Sequence, residues 1–221
     1  VAKLLMVETI SKALKKKGIE ISPIELEHKS CKKILAENNL TLEALGVTPC
    51  TLYYRRSVYD MPVASYKPGA TEEDKKKTQL IRERLLNIAM DKFLFKFQSN
   101  SRPIDKIIED NRLVGLRFIK TEIKDGRVID LPDSEFEVRS PLTISSIGSV
   151  PEPVPDVPMK GEFYVWSNWD QGELDVEEDV YGLGNVVTGK GNIVVSRKHG
   201  NSIANFVLEE KLAKLPELTP D

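Results

Sequence analysis

Helical spacing dominates the first part of the hydrophobic pattern. Apolar residues within 1–14 recur at intervals of three and four, which predicts a helix that ends at Gly18. The spacing stays helical over 19–47, where lysines are frequent, and we interpret this segment as a peripheral insertion. Thr71 opens a third predicted helix with the capping pattern Thr-Glu-Glu-Asp. The apolar stripe of that helix, which we expect to face the core, consists of Leu80, Ile81, Leu85, Ile88 and Ala89.

The spacing changes to two along 93–131, where apolar and polar residues alternate between turn sequences. This pattern predicts an antiparallel meander. The β-forming residues 51–54 predict a short strand before it, which ends at Arg55 and Arg56, and the apolar run 142–148 predicts a buried strand after it. Helices and strands in this order predict an α/β chain.

A proline-rich stretch divides the chain. Four prolines fall within 151–158, and prolines at this density favour an extended linker over a helix or a central strand. We place the domain boundary just before it, so that the predicted domains are 1–147 and 148–221.

The second domain contains a glycine-rich segment, 179–193, in which the pattern indicates a short strand, a turn and the start of the last helix. Glycines let a backbone approach a ligand closely, and a helix N-terminus presents unpaired N–H groups to it. The segment therefore indicates a cofactor loop, with an ordinary strand-to-helix turn as the alternative. Its glycines are Gly182, Gly184, Gly189 and Gly191.

The same segment is not a P-loop. Gly184 to Lys190 matches G-x-x-x-x-G-K, but Gly191 follows where a P-loop needs the Ser or Thr that holds magnesium. The residues after Gly191 are also too few to build the parallel sheet of a P-loop domain.

Composition excludes several classes of protein. The chain of 221 residues is 40% hydrophobic with a formal net charge of −2, which is typical of a soluble globular protein and disfavours nucleic acid as its main partner. No apolar run reaches the roughly 18 residues of a membrane-spanning helix. Cys31 and Cys50 lack the spacing of a redox pair, and His28 and His199 add no metal-site motif. We therefore predict no metal and a reducing, cytoplasmic setting.

The two arginines after the predicted strand 51–54 carry the clearest ligand signal. In a dinucleotide-binding fold the second strand ends beside the adenosine ribose, where a basic residue suits the 2′-phosphate of NADP. Guanidinium groups bind phosphate through bidentate hydrogen bonds. Arg55 and Arg56 are therefore candidate NADPH-binding residues, with an ordinary surface pair as the alternative.

Three features in this order resemble a known family. They are Tyr-Arg-Arg at 54–56, Ser-Ser-Ile-Gly at 145–148 and the glycine-rich segment 179–193. Together they resemble the adrenodoxin-reductase-type ferredoxin–NADP reductases, which are FAD-dependent pyridine nucleotide oxidoreductases, and more distantly the small subunit of glutamate synthase. The resemblance implies that Arg55 and Arg56 clamp the 2′-phosphate of NADPH. It also implies a loop whose backbone lies against the flavin ring of FAD, formed by Gly184, Asn185, Gly191, Asn192 and Ile193.

The resemblance also implies an activity, in which hydride passes from NADPH to FAD and electrons then pass to ferredoxin or another iron–sulfur carrier. The cofactors supply that chemistry, so we expect no catalytic acid, base or nucleophile. The predicted fold is a partial two-dinucleotide-binding, Rossmann-like flavoprotein. In it, 1–147 is the remainder of the NADP-binding domain and 148–221 is the C-terminal part of the FAD-binding domain.

The chain departs from the family pattern in several places. It has Gly184-Asn185 where relatives carry Gly-Trp, the following turn is one residue shorter, and both G-x-G-x-x-G turns are absent. We therefore expect an N-terminally truncated chain that is inactive alone and retains no flavin, because the cofactor pyrophosphates would lack a helix N-terminus. A non-catalytic interaction module, with the lysine-rich segment as its contact surface, is the alternative.

Overall fold

Two units make up the chain, Val1–Ser145 and Ser146–Asp221. The computed structural model describes residues 1–66, 69–148, 150–176, 180–189 and 193–214. The division falls near the predicted domain boundary, and the assignment of the two parts to an NADP-binding and an FAD-binding domain stays a prediction.

Three consecutive helices build the core of the first unit, and all of them follow helical patterns in the sequence. They are α1 (Ala2–Lys16), α2 (Pro23–Lys29) and α3 (Cys31–Glu37). The interpretation of 19–47 as peripheral is wrong, because the apolar faces of α2 and α3 belong to the same buried cluster as α1. The side chains of these helices that are at most 1% exposed are Met6, Val7, Ile10, Leu14, Leu26 and Cys31.

Two serines set the directions of α2 and α3. Ser22 Oγ accepts a hydrogen bond from the N–H of Glu25 at 3.1 Å, and Ser30 Oγ accepts one from the N–H of Lys33 at 3.4 Å. Ser30 has a φ of 98°, so the chain turns sharply between the two helices. Its hydroxyl also donates to the carbonyl of Lys92 at 3.0 Å, which ties the start of α3 to the end of the next helix, α4 (Glu72–Phe93).

Helix α4 begins as predicted, but it buries a different face. Thr71 and Asp74 form the predicted capping box. The prediction that Leu80, Ile81, Leu85 and Ile88 face the core is wrong, since Leu80 is 62% and Ile88 is 52% exposed. Arg82, Leu86 and Phe93 are buried instead.

The buried arginine explains why α4 turns this face inward. Arg82 is 6% exposed, and its guanidinium donates to the carbonyl of Ala64 at 2.8 Å and to the carbonyl of Tyr59. It also lies 4.4 Å from the ring centroid of Tyr66. A buried charge is stable only when its donors are satisfied, so these bonds to the preceding loop fix the rotation of the helix.

A short parallel pair joins β1 (Thr51–Tyr53) to β2 (Lys96–Gln98), with Leu52 opposite Phe97. The chain between them contains α4, so this is a strand–helix–strand connection. The prediction that the antiparallel meander begins at Phe93 is therefore wrong. Phe93 ends α4, and Leu94 with a φ of 60° turns the chain into β2.

The predicted antiparallel meander begins at Ser101. Its strands are β3 (Ser101–Glu109), β4 (Arg112–Lys124), β5 (Arg127–Asp130) and β6 (Phe136–Arg139). The long strand β4 pairs antiparallel with each of the other three. At Gly115 a β-carbon would overlap the carbonyl of Val138, so the close pairing of β6 requires this glycine.

The segment 142–148 does not form the predicted buried strand. Its residues form no strand and are exposed, with Ile147 91% exposed. A strand needs a neighbour to satisfy its backbone groups, and within the described residues no strand pairs with this segment.

The second unit has short elements and few buried side chains. Its elements are β7 (Met159–Lys160), β8 (Phe163–Tyr164), β9 (Trp166–Asn168), β10 (Glu173–Leu174), α5 (Asn185–Thr188) and α6 (Ile193–Phe206), followed by a helical turn at Val207–Lys211. Among its described residues the buried hydrophobic side chains are Leu174, Val187 and Ile203.

The helices, the parallel pair and the antiparallel meander together confirm the predicted α/β fold class.

Candidate nucleotide-binding site

Arg55 and Arg56 lie in the bend directly after β1, at the carboxyl end of a strand in a parallel pair. Ligands of open α/β sheets bind at such strand ends. The Arg55 side chain is exposed, and within the described residues it makes no hydrogen bond or ion pair. A guanidinium in this position is free to bind an anion.

The main chain of the bend is fixed by the neighbouring strands. Thr121 Oγ1 donates to the carbonyl of Arg55 at 2.8 Å, and the N–H of Asn100 donates to the carbonyl of Arg56 at 3.2 Å. Arg56 Nη2 donates to the carbonyl of Gly126 at 3.2 Å, in the turn between β4 and β5. The meander therefore holds the bend in place.

A polar cluster follows the arginines. Ser57 Oγ donates to Asp60 Oδ2 at 2.6 Å, and the Tyr54 hydroxyl donates to the carbonyl of Asp60 at 3.2 Å. Burial, and then the carboxylate of Asp60, raise the pKa of Tyr54, whereas the charges of Arg56 and Arg55 act in the opposite direction. The hydroxyl of Tyr54 thus stays a neutral hydrogen-bond donor.

The bend fits a phosphate group. It offers one uncommitted guanidinium and a second whose single hydrogen bond, at 3.2 Å, goes to a neutral carbonyl. Hydrogen bonds from arginine to phosphate are charge-assisted and stronger than such a bond. The arrangement can therefore bind a phosphate monoester through its two guanidinium groups.

The second set of predicted residues surrounds α5 in the second unit. Gly184 has a φ of 68° and precedes α5, Asn185 is its first residue, and Ile193 begins α6 with 86% of its side chain exposed. Gly191 and Asn192 lie outside the described residues. The structure therefore describes three of the five predicted flavin-loop residues.

The glycines of this loop are required by packing within the unit. A β-carbon at Gly182 would overlap the ring of Trp166, and one at Gly184 would lie 3.2 Å from Ser196 Cβ. The N–H of Gly184 donates to His199 Nδ1 at 3.1 Å, which fastens the loop to α6. Close packing thus explains why glycines occur at 182 and 184, as expected for the alternative that this segment is an ordinary strand-to-helix turn.

Three buried polar atoms around the loop have no partner within the described residues. They are the Tyr181 hydroxyl, Thr188 Oγ1 and His199 Nε2. Because His199 Nδ1 accepts a hydrogen bond, we assign the ring proton to Nε2, which makes this atom an unsatisfied donor. Buried donors without acceptors are costly, and the polar edge of a ring such as the flavin isoalloxazine would satisfy them. The part of the second unit around α5 thus contains unsatisfied polar groups of the kind that a flavin site uses.

Sequence reasoning missed these three residues. A histidine six residues into a helix and a tyrosine before a glycine carry no periodic signal, and burial of their polar ends is visible only in three dimensions.

Within the described residues no group of three or more His, Cys, Asp or Glu side chains could hold a metal ion. In the same part of the chain no helix is long and apolar enough to cross a membrane.

Comparison with known proteins shows a likeness of fold. No protein-family model matches the chain, and no curated protein matches it. FprA of Mycobacterium tuberculosis in complex with NADPH matches with a TM-score of 0.56 and 18% identity, over 81% of this chain and 48% of FprA. The chain thus spans about half the length of that protein.

Two further structures of FprA give the same result. A histidine-to-glutamine mutant matches with a TM-score of 0.57 and 17% identity, over 80% of this chain and 48% of the mutant. A structure of this oxidoreductase that revealed a covalent modification of NADP⁺ matches with a TM-score of 0.55 and 18% identity, over 80% and 48%. Each of these matches covers at least 80% of this chain, whereas the first unit alone makes up less than 80% of it. The matched region therefore includes part of the second unit.

Proposed function

We propose that this chain is part of an NADPH-dependent FAD flavoprotein oxidoreductase of the cytoplasm. In this proposal electrons pass from NADPH through FAD to ferredoxin or another iron–sulfur carrier. The observation that carries the proposal is an uncommitted arginine at the carboxyl end of a parallel strand, in a fold similar to an oxidoreductase whose structure contains NADPH.

The residues of the chain have binding roles in this proposal. Arg55 and Arg56 hold the 2′-phosphate and so select NADPH over NADH. The donors around α5, including His199 Nε2, face the polar edge of the flavin, and Gly184 keeps the loop against α6. FAD supplies the hydride acceptor when it is bound, so the protein only has to bind and orient the two rings.

Nucleotide preference tests this proposal. Dissociation constants of NADPH and NADH can be measured by calorimetry for the chain and for Arg55→Ala and Arg56→Ala. A charge-assisted bond from arginine to phosphate contributes about 1.5–3 kcal/mol, so each variant should bind NADPH about ten- to a hundred-fold more weakly and NADH unchanged.

An arginine elsewhere on the surface provides the control. Arg84 lies on α4 and is exposed, and Arg84→Ala removes the same charge away from the bend. It should leave both dissociation constants unchanged. If Arg55→Ala weakens NADPH and NADH equally, the bend does not recognise the 2′-phosphate and the proposal is wrong.

An interaction module is the second candidate, and one observation favours it. The stripe of α4 is apolar and exposed, and Leu85 in this stripe also lines a groove of about 210 Å³ with Leu52 and Phe95. An exposed apolar surface of this kind is typical of a contact with another polypeptide. This candidate would gain support if Arg55→Ala left the affinity for NADPH unchanged.

A further inference from the structure

The two arginines of the bend are held in different ways. The guanidinium of Arg56 is engaged with the Gly126 carbonyl, whereas that of Arg55 is free within the described residues. The main chain of Arg55 is fixed instead, through its carbonyl, by the hydroxyl of Thr121 at 2.8 Å. Arg55 therefore combines a fixed backbone with an available side chain, which is the arrangement that favours binding of an anion.

Thr121 is itself fixed on several sides. It lies in β4, is 2% exposed and has Asp130 of β5 as its Cα partner. Its N–H donates to the carbonyl of Asn100 at 3.0 Å, so its backbone position does not depend on the bond to Arg55. A hydroxyl in such a position can keep a carbonyl within a narrow range of positions.

Asn100 extends this contact to the second arginine. Its carbonyl accepts from Thr121 and its N–H donates to the carbonyl of Arg56 at 3.2 Å, while its φ of 50° turns the chain between these two bonds. Asparagine tolerates this left-handed conformation better than most residues. One buried threonine of the meander therefore reaches the main chain of both arginines.

We propose that Thr121 is a positioning residue of the nucleotide site and that Arg55 is the principal ligand of the 2′-phosphate. This inference rests on the proposed function. It assigns part of the nucleotide specificity to the antiparallel meander, although no side chain of β4 has to touch the nucleotide. The hydroxyl of Thr121 acts through the carbonyl of Arg55.

Two mononucleotides isolate the phosphate site. 2′-AMP and 5′-AMP have the same base and the same charge and differ only in the position of the phosphate. Calorimetry on the 221-residue chain should show tighter binding of 2′-AMP. The hydrogen bond from Thr121 to the Arg55 carbonyl lies within the protein, so its loss can weaken nucleotide binding by at most about ten-fold. We expect Thr121→Val to weaken 2′-AMP binding by about three- to ten-fold and to leave 5′-AMP binding unchanged.

Three further variants complete the experiment. Thr121→Ser keeps the hydroxyl and should restore 2′-AMP binding. Arg55→Ala should lose more affinity for 2′-AMP than Arg56→Ala does. Ile119→Val is the control for stability, because it shortens a buried side chain in the same strand without removing a hydrogen bond to the bend. It should lower the stability of the protein and keep the preference for 2′-AMP over 5′-AMP.

The outcomes separate this inference from the proposed function. If Arg55→Ala removes the preference for 2′-AMP and Thr121→Val retains it, the positioning role is wrong and the nucleotide site stands. If Ile119→Val loses the preference as Thr121→Val does, the effect is one of stability and the inference is also overturned. If the unaltered chain binds the two nucleotides equally, the proposed nucleotide site itself is wrong.

Discussion

The two units of this chain are stabilised in different ways. In the first unit, helices α1 to α4 surround apolar side chains such as Ile10 and Leu26, which are fully buried. In the second unit, glycines let short strands and loops approach one another, and the backbone at Gly182 packs directly on the ring of Trp166. Large buried side chains therefore stabilise the first unit, whereas the second unit depends on glycines that have no side chain to obstruct close backbone packing.

The largest effect should come from a cavity in the helical core. Leu26 on α2 is 0% exposed, and Leu26→Ala should lower the free energy of unfolding by about 2–5 kcal/mol. Ile24 on the same helix is 70% exposed, so Ile24→Ala should change it by less than about 0.5 kcal/mol. Urea titration measures both values.

Hydrogen exchange then tests whether the effect is confined to one unit. In Leu26→Ala, amides of α1 and α3 should exchange faster, while those of α6 should keep their protection. Equal acceleration in both units would mean that they unfold together, and the comparison between them would lose its basis.

A smaller effect should come from overpacking the second unit. A β-carbon in Gly182→Ala would overlap the Trp166 ring, and such strain costs about 1–3 kcal/mol. A β-carbon added at Gly200 in α6 would meet no such neighbour within 4 Å, so Gly200→Ala should stabilise the unit by about 0.5–1 kcal/mol. Thermal unfolding followed by tryptophan fluorescence compares the two variants, and a Gly182→Ala protein as stable as the parent would show that Trp166 can move aside.

The smallest effect should appear at alkaline pH. Burial raises the pKa of the Cys31 thiol from 9.0 to about 11. The Cys31 thiol therefore ionises at a lower pH in the unfolded chain than in the folded chain. Its contribution to the stability of the folded chain is complete below pH 9 and is lost as the pH rises towards 11. At about pH 10 the loss amounts to about 1 kcal/mol.

Urea midpoints at about pH 8 and about pH 10, with reductant present, measure this loss. Cys31→Ala should reduce the difference between the two midpoints. Cys50 is only half buried, so Cys50→Ala should reduce it less. An unchanged pH dependence in Cys31→Ala would show that other groups, such as Tyr54, control stability at alkaline pH.

The sequence predicted those parts of the fold that depend on local patterns. The periodicity of α1, the capping box at Thr71 and the strand β1 before Arg55 were all correct, because each is encoded within a few neighbouring residues. The arginines were recognised as candidate site residues for the same reason, since a basic pair after a short strand is a local signal.

The errors concern features that depend on distant partners. The buried face of α4 is selected by bonds from Arg82 to Tyr59 and Ala64, which periodicity does not encode. The parallel pairing of β2 depends on where α4 ends. The contact of Thr121 with Arg55 joins residues that are far apart in the chain, so no spacing rule could have found it.

The parallel pair β1–β2 also has a consequence for the order in which the first unit folds. Hairpins such as β4–β5 close through short turns, whereas β1 and β2 can pair only after the whole of α4 has brought them together. Contacts across a longer loop carry a larger closure entropy and form later. We therefore expect the bend at Arg55 to be completed late in folding. A nucleotide that binds there should slow unfolding and leave the rate of folding almost unchanged.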